Sequence, residues 1–98
     1  MSSLLQPVAG KLAVESFTNV EAVSGTVVVN SRVFPAVEQA AVIAVVGTVN
    51  GLLDTLPHNV WVSGVGSPQP NSITVRAVTS DGDYAGTISS LVILTRRG

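Results

Sequence analysis

The 98-residue chain has the length of one domain, five basic and six acidic residues for a net charge of −1, and no cysteine. That composition excludes disulfide staples, thiolate chemistry and cysteine-bound metal, and it lacks the dense basic footprint of a nucleic-acid binder. Charged residues make up only 11% of the chain, against about 25% in an average soluble domain, while the apolar share of 46% is ordinary. The surface must therefore be built from Ser, Thr, Asn, Gln and Gly, and is poorly protected against association.

Residues 1–10, MSSLLQPVAG, show no alternation, and Pro7 and Gly10 interrupt any regular element. They are expected to form an N-terminal arm, leaving a single domain over 11–98. Leu4 and Leu5 are costly to leave in water, so the arm is expected to dock on a neighbour. The stretch has no basic start and no long apolar run, so it does not read as a signal peptide. The longest strongly apolar run, 40–46, falls far short of the 18 or so residues of a membrane span, and none is expected.

The rest of the chain favours strands. Nineteen valines, four isoleucines and eight threonines supply β-branched side chains that suit a pleated surface. Turn signals at VSG (23–25), VNG (49–51), GSPQPNS (66–72) and SDGD (80–83) space short runs in the manner of a β-sandwich. Six strands are expected. In 11–17, Leu12 and Val14 share a face. In 25–34, Val27, Val29 and Val33 oppose Val28, Asn30, Arg32 and Phe34.

The run 40–49, AAVIAVVGTV, is the third. Pro35 and the Ala, Glu and Gln that follow it could open a helix there, but Val42, Ile43, Val45 and Val46 argue for a strand. A central strand covered on both sides is the simplest reading, with a neighbouring subunit as one cover. Residues 51–57 read as a helical turn or a loop. In 59–65, Val60 and Val62 alternate with Trp61 and Ser63. In 72–80, Ile73, Val75 and Ala77 point inward against Thr74, Arg76 and Ser80. The last strand, 84–95, is expected to close a hairpin about Asp81-Gly82. The fold class is thus all-β, a single antiparallel β-sandwich of about six strands with a terminal hairpin.

Chemistry is thin. His58 is the lone histidine. Asp54, His58 and a serine make a triad on paper, but no GxSxG elbow occurs, and a solvated loop histidine is the simpler reading. Asp81 and Asp83 supply too few oxygens for calcium and read as a bulged or type I′ hairpin tip. No catalytic residue, metal site or cofactor is assigned, and no enzyme activity is expected. Trp61 and Tyr84 could stack on a sugar ring, but Trp61 faces away from Val60 and Val62, which marks a protein contact more than a sugar platform. Arg32 and Arg76 either snorkel to solvent or pair with Glu38, Glu15 or Glu21 across a subunit boundary. The residues expected at an interface are Leu4, Leu5, Val45, Val46 and Trp61.

The order GTVVVNSRVF, a proline, an apolar strand, NVWVSGV and then NSITVRAVTSDGDYAGTISSLVIL resembles the six-stranded H-type lectin-like β-sandwiches over residues 12–96. These assemble as trimers and occur in lectins and in bacteriophage tail and fibre proteins. The final stretch LVILTRR lacks the aromatic residue those lectins usually carry, so no sugar-binding residue transfers. In character the chain is also similar to small phage virion proteins, the capsid decoration (cement) and tail proteins. The resemblance implies a structural virion protein, a homo-oligomer and most simply a trimer, bound to major capsid or tail proteins, with glycan binding as the alternative.

Overall fold

The structure, a computed structural model, describes residues 11–48 and 58–97. Its strands are β1 (Leu12–Phe17), β2 (Val20–Glu21), β3 (Thr26–Asn30), β4 (Gln39–Thr48), β5 (His58–Val65), β6 (Ser72–Thr79), β7 (Gly82–Asp83) and β8 (Thr87–Arg96). Six are long and two are two-residue pieces, and no helix occurs among the described residues. In the first sheet β8 is central, with β4 along one edge and β1 and β2 end to end along the other, all antiparallel. In the second, β6 is central, with β5 on one edge and β3 and β7 in tandem on the other. The two sheets pack as a sandwich.

The central strands hold the core because their alternation delivers side chains that nothing else can cover. Ile73, Val75 and Ala77 of β6 meet Ile88, Leu91 and Ile93 of β8, all wholly buried. Each such isoleucine contributes about 1.5–3 kcal/mol relative to exposure. The inward set of β6 is the expected one. In β8 the alternation breaks between Ile88 and Leu91, alongside Asn19, which has φ +54° and whose N–H donates to the Ser89 carbonyl.

The third strand ends sooner than its valines suggest. Ser31 accepts the N–H groups of Val33 and Phe34 through its hydroxyl, which turns the chain after Asn30. Phe34 is thereby buried and Val33 exposed, the reverse of a strand continued to residue 34. Through Thr48 the apolar run is a strand, not a helix, but among the described residues it lies at an edge rather than in the centre; Val49 and the turn or loop expected at 51–57 fall outside the described residues. Ala40, Val42 and Val45 pack on the core, while Ala41, Ile43, Ala44 and Val46 are exposed. The register slips at Ile43, and β5 carries a matching bulge at Ser63.

The turn at 80–82 joins β6 to the short β7, with Gly82 at φ +112°. The chain then crosses sheets at 84–86, so β8 pairs with β1, β2 and β4 and not with β6. Ser24 and Gly25, at φ +52° and +75°, form the two-residue turn that carries the chain between sheets, with Val23 and Thr26 bonded to each other on both sides of it. Gly25 donates to the Tyr84 carbonyl and accepts from Ala77, and a Cβ there would lie 3.0 Å from the Ala77 oxygen and from the Asp83 Cβ. Gly25→Ala is expected to cost about 2 kcal/mol, from the left-handed backbone and the contact together. Chemical denaturation measures it, and an unchanged midpoint would refute the assignment.

Candidate functional site

The two outer faces of the sandwich differ in chemistry. On the first sheet, register places Val14, Leu94 and Ala41 in one row and Ser16, Val92 and Ala44 in the next, with Val46 beside Ser90. The end row is Leu12, Arg96 and Gln39, and Arg96 is the only charge in these rows. Leu12, Val14, Ile43 and Val46 are exposed by 61, 65, 52 and 58%, which makes this an apolar sheet face open to water. Contiguous exposed apolar area of this kind marks a contact site.

At its Leu12–Leu94–Ala41 end the face deepens into a groove of about 600 Å³, walled on the far side by Val62–Val65 of β5 and rimmed by Glu38, Gln39 and Arg96. The β5 bulge at Ser63 is part of that wall. The volume falls within the usual range of binding sites, and the lining is mainly apolar.

β1 explains why this face is apolar. Its strand is inverted: Leu12 and Val14 point out, while Glu15 points in and is 4% exposed. Glu15 is held by three donors, the Ser31 hydroxyl at 2.6 Å, the Arg32 N–H at 2.7 Å and the Thr95 hydroxyl at 3.1 Å. The Arg32 guanidinium lies 3.6 Å away, stacks 4.4 Å from the Phe17 ring centre and donates to the Ser16 carbonyl. Burial pushes the Glu15 carboxyl up. The bonds from Ser31, Arg32 and Thr95 and the Arg32 charge outweigh it, so the group titrates below the usual 4.5. This cluster fixes the orientation of β1 and so the outward aim of Leu12 and Val14.

The outer face of the second sheet is mixed. Trp61, 41% exposed, sits directly across from Arg76, which pairs with Asp83 at 2.9 Å and donates to the Ser24 carbonyl and the Thr26 hydroxyl. Thr74, Val28 and Asn59 complete the surface. Both arginines thus find carboxylates within the chain and not across a subunit boundary as expected: Arg32 meets Glu15, one of the expected partners, and Arg76 meets Asp83, which was not among them.

Of the residues expected at an interface, Val46 and Trp61 are exposed but on opposite outer faces, and Val45 is turned onto the core. Leu4 and Leu5 lie outside the described residues, as does Asp54. His58 is exposed at the start of β5. Among the described residues no three His, Asp or Glu gather in a metal-binding group. No described helix is long and apolar enough to cross a membrane. The groove was not foreseen, because it depends on a β5 bulge that alternation alone does not mark. Comparisons of the chain with protein-family models, curated proteins and solved structures give no match.

Proposed function

We propose that the protein is a non-catalytic structural component of a viral particle, a capsid decoration or small tail protein. It self-associates through the apolar face of the first sheet and binds a larger lattice through the mixed face of the second. The observation that carries this reading is the difference between the two outer faces. Contacts between identical subunits are the more apolar kind, which suits Leu12, Val14, Ile43 and Val46. Contacts between separately folded partners concentrate their energy in Trp and Arg amid polar groups, which suits Trp61 beside Arg76. The number of copies, three, and the virion setting follow from the resemblance to the trimeric lectin-like sandwiches and phage proteins.

The test has two arms. Light scattering on the purified chain should give three times its 10.0 kDa mass. Sedimentation with purified particles should carry the protein down at a fixed stoichiometry, and Trp61→Ala should weaken that binding roughly thirty-fold, about 2 kcal/mol, without changing the oligomer. Trp61 is the sole tryptophan, so its fluorescence reports on this face directly. The same side chain with Asp83 and Asn59 nearby favours a second reading, a glycan platform. Saturable quenching of Trp61 by simple sugars, with no binding to particles, would replace the lattice reading with that one.

A further inference from the structure

We infer that the groove between the apolar face and β5 is the receptor for the N-terminal segment of a second copy, with Leu4 and Leu5 as its anchors. This rests on the self-association proposed above and says what completes it. The rows of this face present only about a dozen outward side chains, from Leu12, Val14 and Ser16 of β1 across β8 to Gln39, Ala41, Ala44 and Val46 of β4, against the 20–30 residues a side of a standard interface. Two flat faces pressed together therefore fall short, and the contact needs more chain.

Residues 1–10, which lie outside the described residues, can supply it. Their attachment point is Lys11, beside Leu12, which itself lines the groove. Ten more residues bring each copy's contribution to about 20, the lower end of a standard interface. Extended, they reach up to about 33 Å, well beyond the chain's own attachment point beside the groove. The chemistry matches as well. The segment has no charged side chain and offers Leu4, Leu5 and Val8, and the groove offers Leu12, Ala41, Val62, Val65 and Leu94. Arm and groove are different surfaces of the same chain, so each copy gives one and receives one.

Two variants and their mixture decide the matter. One chain lacks residues 1–9. The other keeps them and carries Ala41→Arg, an exposed position in the groove, so the fold should tolerate it. Each alone should show the circular dichroism and melting of the unmodified protein but the mass of a single chain. Mixed, they should associate, because one supplies the intact groove and the other the intact arm. The double substitution Leu4→Ser, Leu5→Ser should behave like the deletion, and Val28→Lys on the opposite face should leave the mass unchanged.

If the unmodified chain is oligomeric and the deletion keeps that mass, the arm assignment is wrong while self-association stands. If both variants are folded monomers that fail to associate when mixed, the arm and groove do not meet between copies, and the inference is again wrong. If the unmodified chain is itself a monomer at high micromolar concentration, the inference and the proposed self-association fail together. Should the deletion fail to fold, the Leu4–Leu5 double variant provides the same mass readout.

Discussion

Glu15→Ala is expected to destabilise the domain by about 2–4 kcal/mol. The substitution strands the Ser31 hydroxyl and the Arg32 N–H and leaves the Thr95 hydroxyl only the Ala13 carbonyl, 3.4 Å away. Each buried donor left without a partner costs about 1–3 kcal/mol, less what rotation of the hydroxyls recovers. Denaturant titration measures the change. The carboxylate also sets a pH signature. Its folded pKa lies below the unfolded value of about 4.5, so its contribution is fully present above that value and is lost as pH falls through the lower, folded one. Stability should therefore hold from neutral pH to about pH 5 and then decline with acidification. Glu15→Gln should remove most of that slope. A variant as acid-sensitive as the unmodified chain would show that another group carries the decline.

Val45→Lys and Val46→Lys should have opposite consequences although the residues are neighbours. Val45 packs on the core beside Leu91, and a lysine there must either bury its ammonium or pull the β4 edge away, at about 2–4 kcal/mol. Val46 lies on the open face beside Ser90, so a lysine there leaves the fold intact and places a charge in the apolar contact. The expected result is a largely unfolded or strongly destabilised Val45 variant and a folded, monomeric Val46 variant. Circular dichroism and light scattering on the two, side by side, separate core from contact. A Val46 variant that remains fully assembled would remove the apolar face from the interface.

The sandwich was legible in the sequence where alternation and turn chemistry agree. Ile73, Val75 and Ala77 point inward, Trp61 points away from Val60 and Val62, and the turns at Ser24-Gly25 and at 80–82 fall where their residues demand. It was not legible where one distant polar group overrides the local pattern. Nothing within β1 tells that Glu15 is the buried residue and Leu12 and Val14 the exposed ones. The donors that make this possible stand 16 and 80 residues away. The turn after Asn30 is similar: one serine hydroxyl diverts a run of valines that otherwise reads as continuous strand. The crossing at 84–86 was hidden because a good hairpin turn says nothing about where the chain goes two residues later. For the candidate site, the sequence pointed to single residues, Val46 and Trp61, but not to their separation onto opposite faces.

The bulges at Ile43 and Ser63 bear on how the edges of the two sheets are protected. β4 and β5 are edge strands, and a flat, apolar edge ten residues long invites unlimited addition of further strands. Each bulge cuts its edge into short pieces, so that β4 offers Gln39 to Val42 on one side of the interruption and Ala44 to Thr48 on the other. Neither piece reaches the six or seven regular residues on which fibril-like zippers are built. With few charges to repel a neighbouring strand, backbone irregularity is what blunts these edges against open-ended strand addition, and on the proposed reading it leaves association to the sheet face, where contacts are side chain to side chain and can close.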